Sequence, residues 1–142
     1  MMKSKYYLGI LVLMIISGCS AQQVPNEIKI TYLASSRGLY KDIELSKQKI
    51  SVLENRSSEN RTEVEMPKDE WEALLKRCQA LPAQTESFDS EKLSIDAAIG
   101  STLTIKGIDD SKDMVFKIDY SNVPELFEPL ISQILALSET VE

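Results

Sequence analysis

The sequence contains no histidine. That absence removes the side chain that most often serves as a general base near neutral pH and as a zinc ligand. It also excludes Ser-His-Asp and Cys-His catalysis. Cysteine is nearly as scarce: Cys19 and Cys78 are the only two, so a zinc site built from thiolates is excluded as well. Basic residues are outnumbered, with 16 Lys and Arg against 22 Asp and Glu, for a net charge of −6. A negative domain repels phosphate backbones, which rules against nucleic acid as a partner. It is repelled by anionic lipid heads too, whereas steering favours basic partners. No internal repeat of the solenoid kind is present. The chemistry left formally open is that of carboxylates and of calcium.

The longest uncharged apolar run is short and sits near the start. Met1 to Lys5 carries Lys3 and Lys5 and no acid, and Leu8 to Ile16 follows as LGILVLMII. As a helix this run covers about 14 Å, well short of a bilayer core of about 30 Å. A basic start, a short apolar run and then small residues is the order of a secretory signal. The run ends in Ile16-Ser17-Gly18-Cys19, a tetrapeptide that resembles a bacterial lipobox. The resemblance implies cleavage before Cys19, diacylglycerol on its thiol and acylation of its new amino terminus. The alternative is an ordinary signal peptide whose cysteine ends up in a disulfide with Cys78. Two or more acyl chains anchor a protein stably, so the expected partner of this segment is a membrane, reached through the lipid. Ser20 follows Cys19, where many Gram-negative lipoproteins kept at the inner membrane have aspartate. The expectation is the periplasmic leaflet of the outer membrane. Removing residues 1–18 removes two lysines and no acid, leaving a more acidic mature chain.

Residues 19–26 read as a flexible tether, residues 27–138 as one domain and residues 139–142 as a frayed tail. Glu27 to Ala34 (EIKITYLA) alternates with period two, placing Ile28, Ile30, Tyr32 and Ala34 on one face of a strand. Ser35 to Gly38 is a turn, with Gly38 the expected residue at positive φ. Leu39 to Ser46 returns with Ile43 and Leu45 inward, and Lys49 to Leu53 adds a third strand carrying Ile50 and Val52. Asn55 to Glu65 (NRSSENRTEVE) reads as an exposed loop holding part of a strand near Thr62 to Val64.

Pro67 to Ala80 has a helical apolar stripe of Trp71, Leu74, Leu75 and Cys78. Pro67 suits its first turn, and Asp69 and Glu70 its positive end. Ser101 to Ile108 and Asp113 to Tyr120 form a hairpin. The parity of the second arm is open: Val115 lies on one side, Phe116 and Ile118 on the other. Pro124 to Leu137 predicts a second helix with a stripe of Leu126, Phe127, Leu130, Ile131, Ile134 and Leu135. Pro129 predicts a kink or an opening short turn. The order β-β-β-α-β-β-α predicts an α+β fold: an antiparallel sheet of about five strands with two helices on one face.

Ile30 to Ile43 (ITYLASSRGLYKDI), Asp96 to Ile105 (DAAIGSTLTI) and Ile118 to Leu137 (IDYSNVPELFEPLISQILAL) together resemble a family of small, functionally uncharacterised lipoproteins of Bacteroidetes, particularly flavobacteria. The resemblance implies location and fold and supplies no activity. Relatives often show Asp-His-Gly where this chain has Asp119-Tyr120-Ser121, which argues against a histidine-dependent role.

Candidate site residues are few. Cys19 is the lipidation site. Arg37, in the first hairpin turn, is a candidate for contacting a carboxylate or phosphate, though a turn arginine more often points into water. Asp109, Asp110 and Asp113 lack the glycine and bidentate glutamate of a calcium loop, so no metal site is expected and no cofactor. Asp96 and Asp119 are a conceivable acid-base pair; a turn-bracing role for Asp96 is the simpler reading. Cys78 and Trp71 fall on a buried helix face and read as core. The expected function is a non-enzymatic envelope binding or structural module, with an envelope protein as its partner. An inhibitor or immunity-type protein directed at a cationic hydrolase or toxin is the alternative, and a carboxylate-dependent hydrolase stands third.

Overall fold

The computed structural model describes residues 27–82, 100–108 and 112–141. Six strands and two helices follow in the order β1 Lys29–Ser35, β2 Tyr40–Leu45, β3 Lys49–Leu53, β4 Thr62–Glu65, α1 Lys68–Gln79, β5 Gly100–Lys106, β6 Met114–Asp119 and α2 Glu128–Glu139. All neighbours are antiparallel, in the sheet order β4-β3-β2-β1-β5-β6. The fold is α+β. The partial strand expected near Thr62 is a full sixth member of the sheet, because Ile50 and Val52 of β3 pair with Val64 and Thr62.

The register explains why one face is dry. Directly opposed residues of antiparallel strands share a face, and Tyr32 is flanked by Ile43 on β2 and Leu103 on β5. Ile43 in turn meets Val52, and Leu103 meets Phe116. The inner row is therefore apolar from β3 to β6, and every member is buried. The open parity of β6 resolves the same way: Met114, Phe116 and Ile118 face inward, while Val115 is 46% exposed.

Both helices contribute to the same core. Trp71, Leu74 and Cys78 of α1 and Leu130, Ile131, Ile134 and Leu137 of α2 join the sheet residues in one cluster. Gln133 locks the helices together, its amide donating to the Glu70 carbonyl at 3.2 Å and to Glu70 Oε2 at 2.7 Å. Phe116 and Phe127 meet with centroids 5.0 Å apart and rings tilted 57°, tying β6 to the start of α2.

Three expectations are corrected. The second helix starts at Glu128, not Pro124, and the opening short turn expected from Pro129 precedes it, closed by Phe127 N–H donating to the Pro124 carbonyl at 2.9 Å. Pro129 then sits in the first helical turn, where no backbone donor is required, and Leu126, outside the helix, is 47% exposed rather than part of the stripe. Residues 139–141 are packed rather than frayed: Val141 is buried, and its N–H donates to the Ser138 carbonyl at 3.3 Å. Gly38 does not take positive φ; among the described residues only Gly107 does, at 83°.

Candidate functional site

The turn that carries Arg37 is held by its neighbour. Ser36 N–H donates to the Leu39 carbonyl at 2.7 Å, and Ser36 Oγ accepts from the N–H groups of Leu39 and Gly38 at 3.1 and 3.4 Å. A serine closing its own turn makes a positive-φ glycine unnecessary. Arg37 stands exposed at the tip, and no hydrogen bond or ion pair among the described residues holds its guanidinium.

The outer face of the sheet carries a polar network that the sequence did not single out. Arg61, one residue before β4, reaches across β3 to β2. Its Nη1 donates to Asp42 Oδ2 at 2.9 Å, its Nη2 to the Asp42 carbonyl at 3.2 Å and its Nε to Ser51 Oγ at 2.9 Å. Glu44 adds an ion pair at 3.5 Å. The Asp42 bond, reinforced by nearby acids, holds the Arg61 guanidinium charged even more firmly than usual. At the other end of the same loop Arg56 donates to Ser35 Oγ and lies 5.3 Å from the ring centroid of Tyr40. Two arginines thus pin the polar 55–61 segment against the sheet at both ends.

Between that segment and the C-terminal end of α2 lies a cleft of about 170 Å³. Val52 and Val141 contribute apolar surface to it, and Glu54, Asn55, Ser58, Asn60 and Thr62 contribute amides, hydroxyls and one carboxylate. Beside it Lys41 occupies an inward-facing position of β2, opposite Ala34. Its ammonium meets Glu54 Oε1 at 3.1 Å and Ser138 Oγ at 3.4 Å, at the negative end of the α2 dipole where a cation is favoured. The lining is suited to hydrogen-bonding a small polar group. Glu54 is engaged there by Lys41.

A wider groove of about 300 Å³ opens at the start of β1, bordered by Glu27, Lys29, Glu44, Gln48 and Lys49. Both of its lysines are paired: Lys29 with Glu44 at 2.6 Å, and Lys49 with Glu63 at 2.6 Å.

Of the remaining candidates, those among the described residues are not brought together. Cys19, Asp96, Asp109 and Asp110 lie outside the described residues. Asp119 closes its own turn, its Oδ1 accepting from Ser121 N–H at 2.9 Å and Ser121 Oγ at 2.7 Å. Asp113 pairs with Lys106 at 3.5 Å. Among the described residues no three metal-ligating side chains gather. Cys78 is a free, buried thiol that burial pushes up to about 12, an inert setting. Burial likewise raises the Tyr32 hydroxyl, with the Ser101 hydroxyl opposing the shift. Ser101 Oγ itself donates to the Ile118 carbonyl at 2.8 Å, which leaves its lone pairs facing the Tyr32 hydroxyl.

Sequence reasoning missed Arg61, Asp42 and Ser51. The available signal was the outward parity of Asp42, Glu44 and Ser51 on adjacent strands, which predicts a polar row awaiting a cation. Compared with family models, characterised proteins and solved structures, the chain matches none.

Proposed function

We propose that the chain is an envelope lipoprotein, anchored through Cys19 in the periplasmic leaflet of the outer membrane, whose folded domain is a non-enzymatic binding or structural module. The observation that carries the reading is Ile16-Ser17-Gly18-Cys19 placed directly after the charged and apolar segments. No described helix is long and apolar enough to cross a membrane.

The module reading is supported by how the polar groups are used. Arg61, Asp42, Ser51 and Asp119 brace backbone and turns, and Glu54 is held by Lys41. The hydrogen-bonding cleft beside Asn55 and Asn60 is the place on the described surface suited to a small polar group of a partner.

The test is metabolic labelling of the expressed full chain with an alkyne fatty acid, followed by intact mass of the purified product. The expected product begins at Cys19 and carries diacylglyceryl and acyl mass, and Cys19→Ala takes up no label. An unlabelled parent chain, or one that retains Met1, overturns the anchor and the envelope role with it.

The net charge of −6 favours one second reading, an inhibitor or immunity-type protein for a cationic envelope enzyme. Steered binding of that kind weakens steeply with salt. Affinity for a basic hydrolase that is unchanged from low to high ionic strength would remove that reading.

A further inference from the structure

We propose that β6 is a self-pairing edge, and that two copies of the chain join β6 to β6 as antiparallel neighbours across a two-fold axis. The sheet ends in β4 on one side and β6 on the other, and among the described residues no strand lies outside either. A free strand edge presents alternate N–H and C=O groups that can template another strand.

The two edges are not equivalent. β4 is four residues long and places Glu63 and Glu65 on the outer face, so pairing it with itself sets carboxylates against carboxylates. β6 is six residues long and carries Val115, a large apolar side chain 46% exposed.

Charge then selects one register. The two copies keep a continuous inner face only if a residue, not a gap, lies on the axis, because a one-residue slip inverts every side chain. An axis at Lys117 opposes that lysine to itself. An axis at Phe116 opposes Asp113 to Asp119 twice. An axis at Val115 opposes Asp113 to the second copy's Lys117 twice, Val115 to Val115 and Met114 to Phe116. An axis at Ile118 also opposes Lys117 to Asp119 twice, but Asp119 already accepts from Ser121 and Val115 then faces Ser121. The Val115 axis alone combines two opposite-charge pairs free of that turn with the exposed apolar side chain at the centre. Asp113 is available for it, since its bond to Lys106 is a long one of 3.5 Å with both side chains more than half exposed. The contact is isologous and closes as a dimer. The inference concerns the folded domain and does not rest on the lipid anchor.

The test is Val115→Cys in the full chain, with Cys19→Ala in every variant and in the parent so that no thiol outside the fold reacts, treated with a short bismaleimide. The expected result is a cross-linked dimer from Val115→Cys, with none from the parent chain or from Thr31→Cys, which sits on the same face of the central strand β1. Adding Lys117→Asp lowers the cross-linked yield about tenfold, since two attractive pairs become repulsive. Combining Asp113→Lys with Lys117→Asp restores it. Both charged side chains are exposed, and unchanged thermal unfolding of each variant confirms the fold. No dimer from Val115→Cys, equal yields from Val115→Cys and Thr31→Cys, or no recovery on charge exchange each overturns the proposal.

Discussion

Arg61 holds Asp42 at two points, donating from Nη1 to the carboxylate at 2.9 Å and from Nη2 to the backbone carbonyl at 3.2 Å. The pair spans 19 residues of sequence and crosses β3 to join the loop before β4 to β2. Both side chains are mostly shielded, at 23% and 18% exposure, so solvent screens the contact less than it would an open surface pair.

Removing that guanidinium strands a carboxylate and the buried Ser51 hydroxyl together. Arg61→Ala is expected to cost roughly 2–3 kcal/mol, the range for losing charge-assisted bonds to half-buried groups. Arg61→Lys recovers only part, because an ammonium lacks the planar fork that reaches Asp42 and Ser51 at once. Urea unfolding measures both, and faster amide exchange across residues 55–65 separates loss of the loop from loss of the core. A cost below about 0.5 kcal/mol for Arg61→Ala, typical of an exposed pair, would show that the network is ornamental.

Cys78 sets an alkaline limit on stability. Its thiol ionises near 9 in a solvated chain but only at about 12 in the fold. A group whose folded value is raised contributes fully below the unfolded value, and the contribution is lost as pH climbs. Stability is therefore expected to fall from about pH 9 toward 12, by up to roughly 1.4 kcal/mol per pH unit. Cys78→Ala flattens the first part of that decline while lowering stability at pH 7 by removing packed volume. Tyr32, also raised, adds its own loss above pH 10. Tyr32→Phe removes that part of the decline. Chemical denaturation at a series of pH values reads all three chains.

Two glycines make a direct contrast. Gly107 has φ of 83°, a region where a Cβ is strained, so Gly107→Ala should cost about 1 kcal/mol. Gly38 has ordinary negative φ and nothing within 4 Å of an added Cβ. Gly38→Ala should be neutral, or stabilising by about 0.4–1 kcal/mol through the unfolded chain. Ser36→Ala, by contrast, should loosen the same turn. Thermal melts that rank Gly38→Ala below Gly107→Ala would contradict the turn geometry described above.

Much of the architecture was legible because periodicity is local. Ile30, Tyr32 and Ala34 alternate along one strand, and Trp71, Leu74 and Cys78 recur at helical spacing. Each pattern names the face to be buried without knowledge of what covers it. Of the candidate sites, Arg37 is legible as a turn residue from Ser35-Ser36-Arg37-Gly38, whereas the engagement of Asp119 by Ser121 depends on how the chain leaves β6. Arg61 stayed hidden inside a run of mixed charge, since nothing in NRSSENRTEVE distinguishes it from Arg56.

By itself the sequence determined where apolar faces form, where turns fall and which chemistries lack their residues, because backbone sterics and side-chain type act over a few neighbours. Tertiary structure decided the rest. Val115 and Phe116 are both apolar, and only the pairing of β6 with β5 turned Phe116 inward and left Val115 in solvent. Leu126 fits a helical stripe on paper, yet helix α2 begins two residues later. Arg61 met Asp42 only once β2, β3 and β4 had aligned in register. Those outcomes depend on contacts between distant segments, whose free energy exists only after the sheet has assembled.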